Sequence, residues 1–181
     1  MDETRAARKR TLNTGGVLLG LGLGGFFDGI VIHQILQWHH MVSNVPQYPV
    51  TTLEGLRANT LGDGLFHAAT WVFTVAGLFL LWRAKRRPGG STTTRLLVGL
   101  LLMGWGSFNL VEGVVDHQLL QLHHVRPGPD QGFWDLAFLA WGAAMLLGGW
   151  ALARAGEQEQ ERAAVNGARD VMVGHRPGAA A

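Results

Sequence analysis

Four apolar stretches constrain this chain more than any other feature: residues 15–41, 61–82, 96–123 and 133–152. Each is long enough to cross the hydrocarbon core of a bilayer, which takes roughly 20 helical residues. The stretches end at breaks in composition, "SNVPQYPVTT", "RAKRRPGGSTTTR", "VRPGPDQG" and "RAGEQEQERAAVNGARD". The fold class that follows is an all-α integral membrane protein, a four-helix transmembrane bundle with short loops. It divides into a basic tail at 1–13, a membrane domain at 14–154 and a polar tail at 155–181, which reads as disordered.

Charge supplies the orientation. Only 15% of the 181 residues are charged, against 48% hydrophobic, and the charges gather at the ends and in the connections. Arg5, Arg8, Lys9 and Arg10 precede the first span, and Arg83, Lys85, Arg86, Arg87 and Arg95 lie between the second and third. The other two loops carry Arg57 and Arg126 alone. Basic residues stay on the cytoplasmic side, so both termini and the middle loop are expected in the cytoplasm of a multi-pass protein of the cell inner membrane. This topology also accounts for the pI of 9.7, and no nucleic-acid partner is expected. The first span is too long for a signal peptide, carries Asp28 and His33, and has no small-residue cleavage site after it. Cysteine is absent, which removes disulfides, thiolate metal sites and thiol catalysis.

The run "GLGLGG", Gly20 to Gly25, has the spacing of a dinucleotide fingerprint but lacks the preceding strand that the fingerprint requires. Gly16, Gly20 and Gly24 instead make a smooth face for close helix packing in lipid.

Polar residues recur inside these apolar spans. "DGIVIHQILQWHH" (Asp28 to His40) aligns without gaps on "EGVVDHQLLQLHH" (Glu112 to His124). Asp28 falls on Glu112, His33 on His117, Gln34 on Gln118, Gln37 on Gln121, and His39 and His40 on His123 and His124. More weakly, Asp63 and Phe66 of "GDGLFHAATW" match Asp135 and Phe138 of "FWDLAFLAWG", with Leu139 in place of His67. The chain therefore reads as two tandem helix-pair repeats related by an axis along the membrane normal.

The segments "GGFFDGIVIHQILQWHH" and "FNLVEGVVDHQLLQLHH" resemble a family of bacterial predicted membrane proteins, the domain of unknown function numbered twenty-two forty-three. The resemblance covers about residues 12–154 and implies the four-span architecture; it brings no activity with it.

An ionisable side chain at the centre of a span costs about 2.5–3.5 kcal/mol on insertion scales, so it is paired, turned inward or functional. With α-helical geometry throughout, His39, His40, His123 and His124 are expected at the outer surface. His33 and His117 then lie roughly 12 Å deeper, and Asp28 and Glu112 form the floor of a funnel open to the outside. Imidazoles and carboxylates without thiols suit copper, iron or zinc. The expected ligands are His33, His67 and His117 with Asp28 or Glu112. His39, His40, His123 and His124 with Asp63 and Asp135 make a second site or an entry relay for metal from the outer side. Gln34, Gln37, Gln118 and Gln121 orient ligands or bound water. Two other classes fit the same residues: a haem b protein of electron transfer with His33 and His117 as axial ligands, and a proton or cation relay. No substrate-binding element is legible, so an enzymatic role stays open. His175 reads as a solvated tail residue, and the seven tryptophans read as interfacial or packing residues.

Overall fold

The computed structural model describes residues 2–88 and 92–174, the last seven of these by backbone alone. His175 lies outside the described residues. All regular structure among them is helical. Helix α1 (Asp2–Phe27) runs directly into a π-helical segment, Asp28–Ile35. Helix α2 spans Leu53–Lys85. Helix α3 (Thr94–Glu112) again runs into a π-helical segment, Gly113–Leu119, and α4 spans Gln131–Gly174. All four helices are long and apolar enough to cross a membrane.

The helices do not end where the apolar stretches do. α2 begins well before Leu61, because the Thr52 hydroxyl accepts the Gly55 N–H at 3.1 Å and caps its first turn. α4 continues past residue 155, where the sequence suggested a disordered tail. Residues 157–164, EQEQERAA, are mostly strong helix formers. Lys9 pairs with Glu157 at 3.0 Å, and the Thr93 hydroxyl donates to the Gly156 carbonyl at 3.3 Å. The helix is thereby held against its neighbours beyond the apolar stretch.

The side chains are distributed inside out relative to a protein in water. Leu61, Leu65, Trp71, Phe79, Trp141 and Leu147 face outward, while His33, Asn59, Asp63, His117 and His123 are fully buried. A polar interior under an apolar exterior is the arrangement that lipid favours, since exposed leucine costs nothing there.

Backbones pack in the spatial order α2, α1, α3, α4. The central pair is accordingly the more buried. At the α1/α3 crossing two glycines meet: a Cβ on Gly20 would strike the Leu101 carbonyl, and one on Gly104 would strike the Val17 carbonyl. Gly16 and Gly24 abut Leu100 and Trp105 on the same face, as their spacing predicts.

Basic groups tie together the end of the fold remote from the histidines. The Arg8 guanidinium donates to the Ala84 carbonyl and the Thr92 hydroxyl, both at 3.2 Å, and Arg87 donates to the Thr11 hydroxyl at 3.3 Å. Because backbone cannot yield as a side-chain tip can, Gly104→Leu is expected to cost about 1–3 kcal/mol or more. Gly64→Ala, with open space around it, should be neutral or slightly stabilising. Thermal unfolding of the two variants in detergent checks this.

Candidate metal centre

The π-helical segments decide which polar residues meet. In such a segment each N–H reaches back five residues, as from Leu36 to the Val31 carbonyl and from Leu120 to the Val115 carbonyl, both at 2.8 Å. Residues five apart then fall one above the other. Asp28 Oδ2 consequently lies 3.0 Å from His33 Nε2, without the direction of a hydrogen bond. Each segment stops at a glutamine in the left-handed region, Gln37 and Gln121, both at φ 50°. This is a conformation non-glycine residues rarely adopt and hold only where surrounding contacts enforce it. The enforcing bonds run from the Trp38 N–H to the Ile32 carbonyl (3.1 Å) and from the Leu122 N–H to the Asp116 carbonyl (2.9 Å). The chain turns back there, and His39 and His123 point inward.

Two aspartates anchor the returning segments. Asp63 on α2 accepts from His33 Nδ1 (2.8 Å) and the Met41 N–H (2.8 Å) through Oδ1. Through Oδ2 it accepts from His40 Nδ1 (2.7 Å) and Gln34 Nε2 (3.3 Å). Four donors use the full capacity of a carboxylate, so Asp63 is ionised. Asp135 on α4 accepts from the Val125 N–H (2.9 Å) and His124 Nδ1 (2.7 Å), with His117 Nδ1 at 3.6 Å. Asn59 holds the first loop in place, accepting from the Val42 N–H and donating to the Tyr48 carbonyl, both at 3.0 Å.

Inside this frame His33, His39, His123 and Glu112 each offer a ligand atom, and the four atoms lie within 4.8 Å of one another. Their tautomers follow from their outer bonds. His39 Nδ1 faces the Val125 carbonyl at 2.8 Å, and His123 Nδ1 faces the Met41 carbonyl at 3.1 Å. A carbonyl only accepts, so both Nδ1 atoms carry the proton, and both Nε2 atoms turn lone pairs inward. Asp63 likewise takes the Nδ1 proton of His33, whose Nε2 faces the Asp28 carboxyl. The His39 and His123 rings stack at 4.4 Å and 10°, and Glu112 Oε1 lies 3.6 Å from His123 Nε2. No protein donor among the described residues bonds to the three Nε2 atoms or to either Glu112 oxygen.

The remaining expected residues are distributed differently. His117 is buried beside this group, 4.9 Å from His123 ring to ring, with both nitrogens unbonded. His67 stands apart. Its Nδ1 donates to the Asp63 backbone carbonyl at 2.7 Å, and its ring lies between Phe26 and Phe66. His40 and His124 bind the aspartates from the half-buried rim. Gln34 reaches Asp63, while the Gln37, Gln118 and Gln121 side chains are exposed. In place of an open funnel the structure has a closed cluster: His33, His39, His123 and Glu112 are all at most 4% exposed. The lid is the first loop itself, where the Asn44 N–H and Nδ2 donate to the Leu122 and Gln121 carbonyls, both at 2.9 Å.

Sequence reasoning overlooked two things here: the backbone carbonyls of Met41 and Val125, which carry no residue-type signal, and the half-buried Asp116, which stood in plain view in "VVDHQ". Removing Asp63 should be severe, since it strands His33, His40 and the Met41 N–H. Asp63→Ala is expected to lose about 3–5 kcal/mol, whereas Asp130→Ala, at an exposed position, should unfold like the parent in a detergent melt.

No curated protein and no solved structure matches the chain. One family model does, described as predicted membrane protein (DUF2243), over residues 15–156. With most of its length covered, and with four membrane-length helices around a buried histidine and carboxylate cluster, the chain belongs to this family of predicted membrane proteins.

Proposed function

We propose that this protein is an integral metal protein of the cytoplasmic membrane, in which His33, His39, His123 and Glu112 bind a divalent transition metal, copper, iron or zinc. One observation carries the reading: a nitrogen from each of three histidines and a carboxylate oxygen converge within 4.8 Å of one another, and the inward Nε2 and carboxylate atoms have no hydrogen-bond partner among the described residues. Such a set repels itself in a low-dielectric interior and is stabilised by a cation. Three nitrogens and an oxygen without sulfur suit the borderline divalent metals. Carbonyl and carboxylate partners on the outer ring nitrogens are the supporting bonds that metal-bound histidines ordinarily have. Four protein donors complete a tetrahedral zinc shell, which favours a held or carried ion over a hydrolytic one at this position.

A duplicated helix pair supports the same reading. The π-helical segments, the left-handed glutamines and the aspartate anchors recur in both halves, and Gly20 and Gly104 meet where the halves cross. His39 and His123 reach across to the opposite half's backbone, so each half completes the other's site. The basic end of the fold opposes the histidines, and the positive-inside rule then puts both termini in the cytoplasm and the site toward the outer side, from which the metal enters past His40 and His124.

The haem reading fares worse. A porphyrin between His33 and His117 must displace the His39/His123 stack, against which both rings pack. A proton or cation relay uses the same residues but gives no reason for three histidines and a glutamate to converge on one point.

The experiment is metal binding by protein purified in mild detergent, stripped with chelator and reloaded with zinc or copper(II). His39→Ala, His123→Ala and Glu112→Gln should weaken binding by at least tenfold. Asp63→Asn should lose roughly 10–100-fold through its effect on His33, and His67→Ala should bind as the parent does. Equal binding by all variants contradicts the site, and a Soret band in the purified protein selects haem instead.

A further inference from the structure

The ion proposed above leaves a second set of buried polar atoms unused. His117 is 1% exposed, and neither ring nitrogen has a hydrogen-bond partner among the described residues; Asp135 Oδ1, at 3.6 Å, is too far to be one. Asp28 is 3% exposed with Oδ2 unbonded. Glu112 has both oxygens unbonded, and the first ion needs only one. An unsatisfied buried polar atom costs about 1–3 kcal/mol, and His117 stands at the edge of the first cluster, 4.9 Å from His123 and 6.1 Å from His39 ring to ring. We infer, resting on the metal reading, that the site holds two ions, the second bound by His117 and Asp28 and joined to the first through Glu112.

Charge supports this independently of the histidines. Asp28 and Glu112 both lie against the histidine cluster, Asp28 Oδ2 at 3.0 Å from His33 Nε2 and Glu112 Oε1 at 3.6 Å from His123 Nε2. Two buried carboxylates at one cluster, with no Lys or Arg paired to them among the described residues, require a cation or a proton. A divalent ion between them answers the same need as the orphaned nitrogens of His117. The π-helical segments give this a structural basis, for they put a histidine five residues after a carboxylate in each half, His33 after Asp28 and His117 after Glu112. The five-residue spacing thus contributes one histidine and one acid from each half to a pair of ions. His39 and His123 have a single inward nitrogen each, which the first ion takes.

The two positions then differ in chemistry. The first has four protein donors; the second has three, and leaves a coordination position for water or an incoming group. Carboxylate-bridged ions in helical proteins lie about 3.5–4 Å apart, a separation a single glutamate spans with its two oxygens. His117 has to turn toward Asp28 to engage, and its unbonded nitrogens leave it free to do so.

The test is stoichiometry with a magnetic readout. Chelator-stripped, full-length protein in detergent is loaded with zinc and its bound metal counted after desalting; a parallel sample is loaded with copper(II) for paramagnetic resonance. The parent should hold about two ions per chain and give a half-field copper signal from a coupled pair. His117→Ala and Asp28→Asn should each hold about one and lose that signal, with gel-filtration profiles unchanged. Asp28→Asn conserves volume and keeps the test alive should His117→Ala fail to fold. One ion in the parent, unaffected by either variant, overturns the second site and leaves the first, with a shared carboxyl proton in its place. Two ions in the parent and still two in both variants means adventitious surface binding and overturns it as well. No ion at all removes the metal reading together with this one.

Discussion

The structure depends on one kind of bond, the buried aspartate that gathers the returning chain. Asp63 lies about three turns into α2 and Asp135 in the second turn of α4; both are at most 2% exposed, and each accepts from a rim histidine and from a loop backbone N–H. Without them the segments after Gln37 and Gln121 have no reason to fold inward over an apolar bundle, and the histidines they carry stay at the surface. The aspartates are themselves tolerable only because donors meet them, four at Asp63 and two at Asp135, since an uncompensated carboxylate at that depth is costly. Anchor and cluster are therefore mutually dependent: the histidine protons satisfy the carboxylates, and the carboxylates orient the imidazoles.

Close helix contact is the second condition. His39 and His123 come from different halves and stack at 4.4 Å, which requires α1 and α3 to approach at backbone distance. Gly20 and Gly104 permit that approach. In lipid there is no hydrophobic drive to press helices together, so packing of small residues and polar bonds across the interface have to do it. The glycine stripe and the polar cluster are the two ends of one device, the first bringing the backbones together and the second locking the end at which the loops return.

Much of this was legible in the residues. The apolar stretches marked the four membrane-length helices, and the matched polar segments held Asp28, His33, His39, Glu112, His117 and His123, which are buried, beside glutamines that are exposed. Geometry was not legible, for a definite reason: a period of 3.6 residues was assumed to hold to Met41 and Val125, whereas the helices change to π-helical pitch at Asp28 and Gly113 and stop at Ile35 and Leu119. Under the α-helical assumption His39 belongs at the surface and His67 beside His33. In the structure His39 is 2% exposed and His67 is bonded to its own helix backbone. Nothing in residue type announces a glutamine at φ 50°, because the left-handed turn is imposed by tertiary bonds rather than by local preference.

The central claim is that a metal is held by inward-facing imidazoles, and X-ray absorption at the edge of the loaded metal tests it most directly. Copper- or zinc-loaded protein should give a first shell of nitrogen and oxygen at about 2.0–2.1 Å for zinc, with the outer-shell scattering of several histidine rings, reduced in His123→Ala. A shell of oxygen alone, without imidazole scattering, would mean that the metal resides on exposed acids and that the histidines serve only to lock the fold.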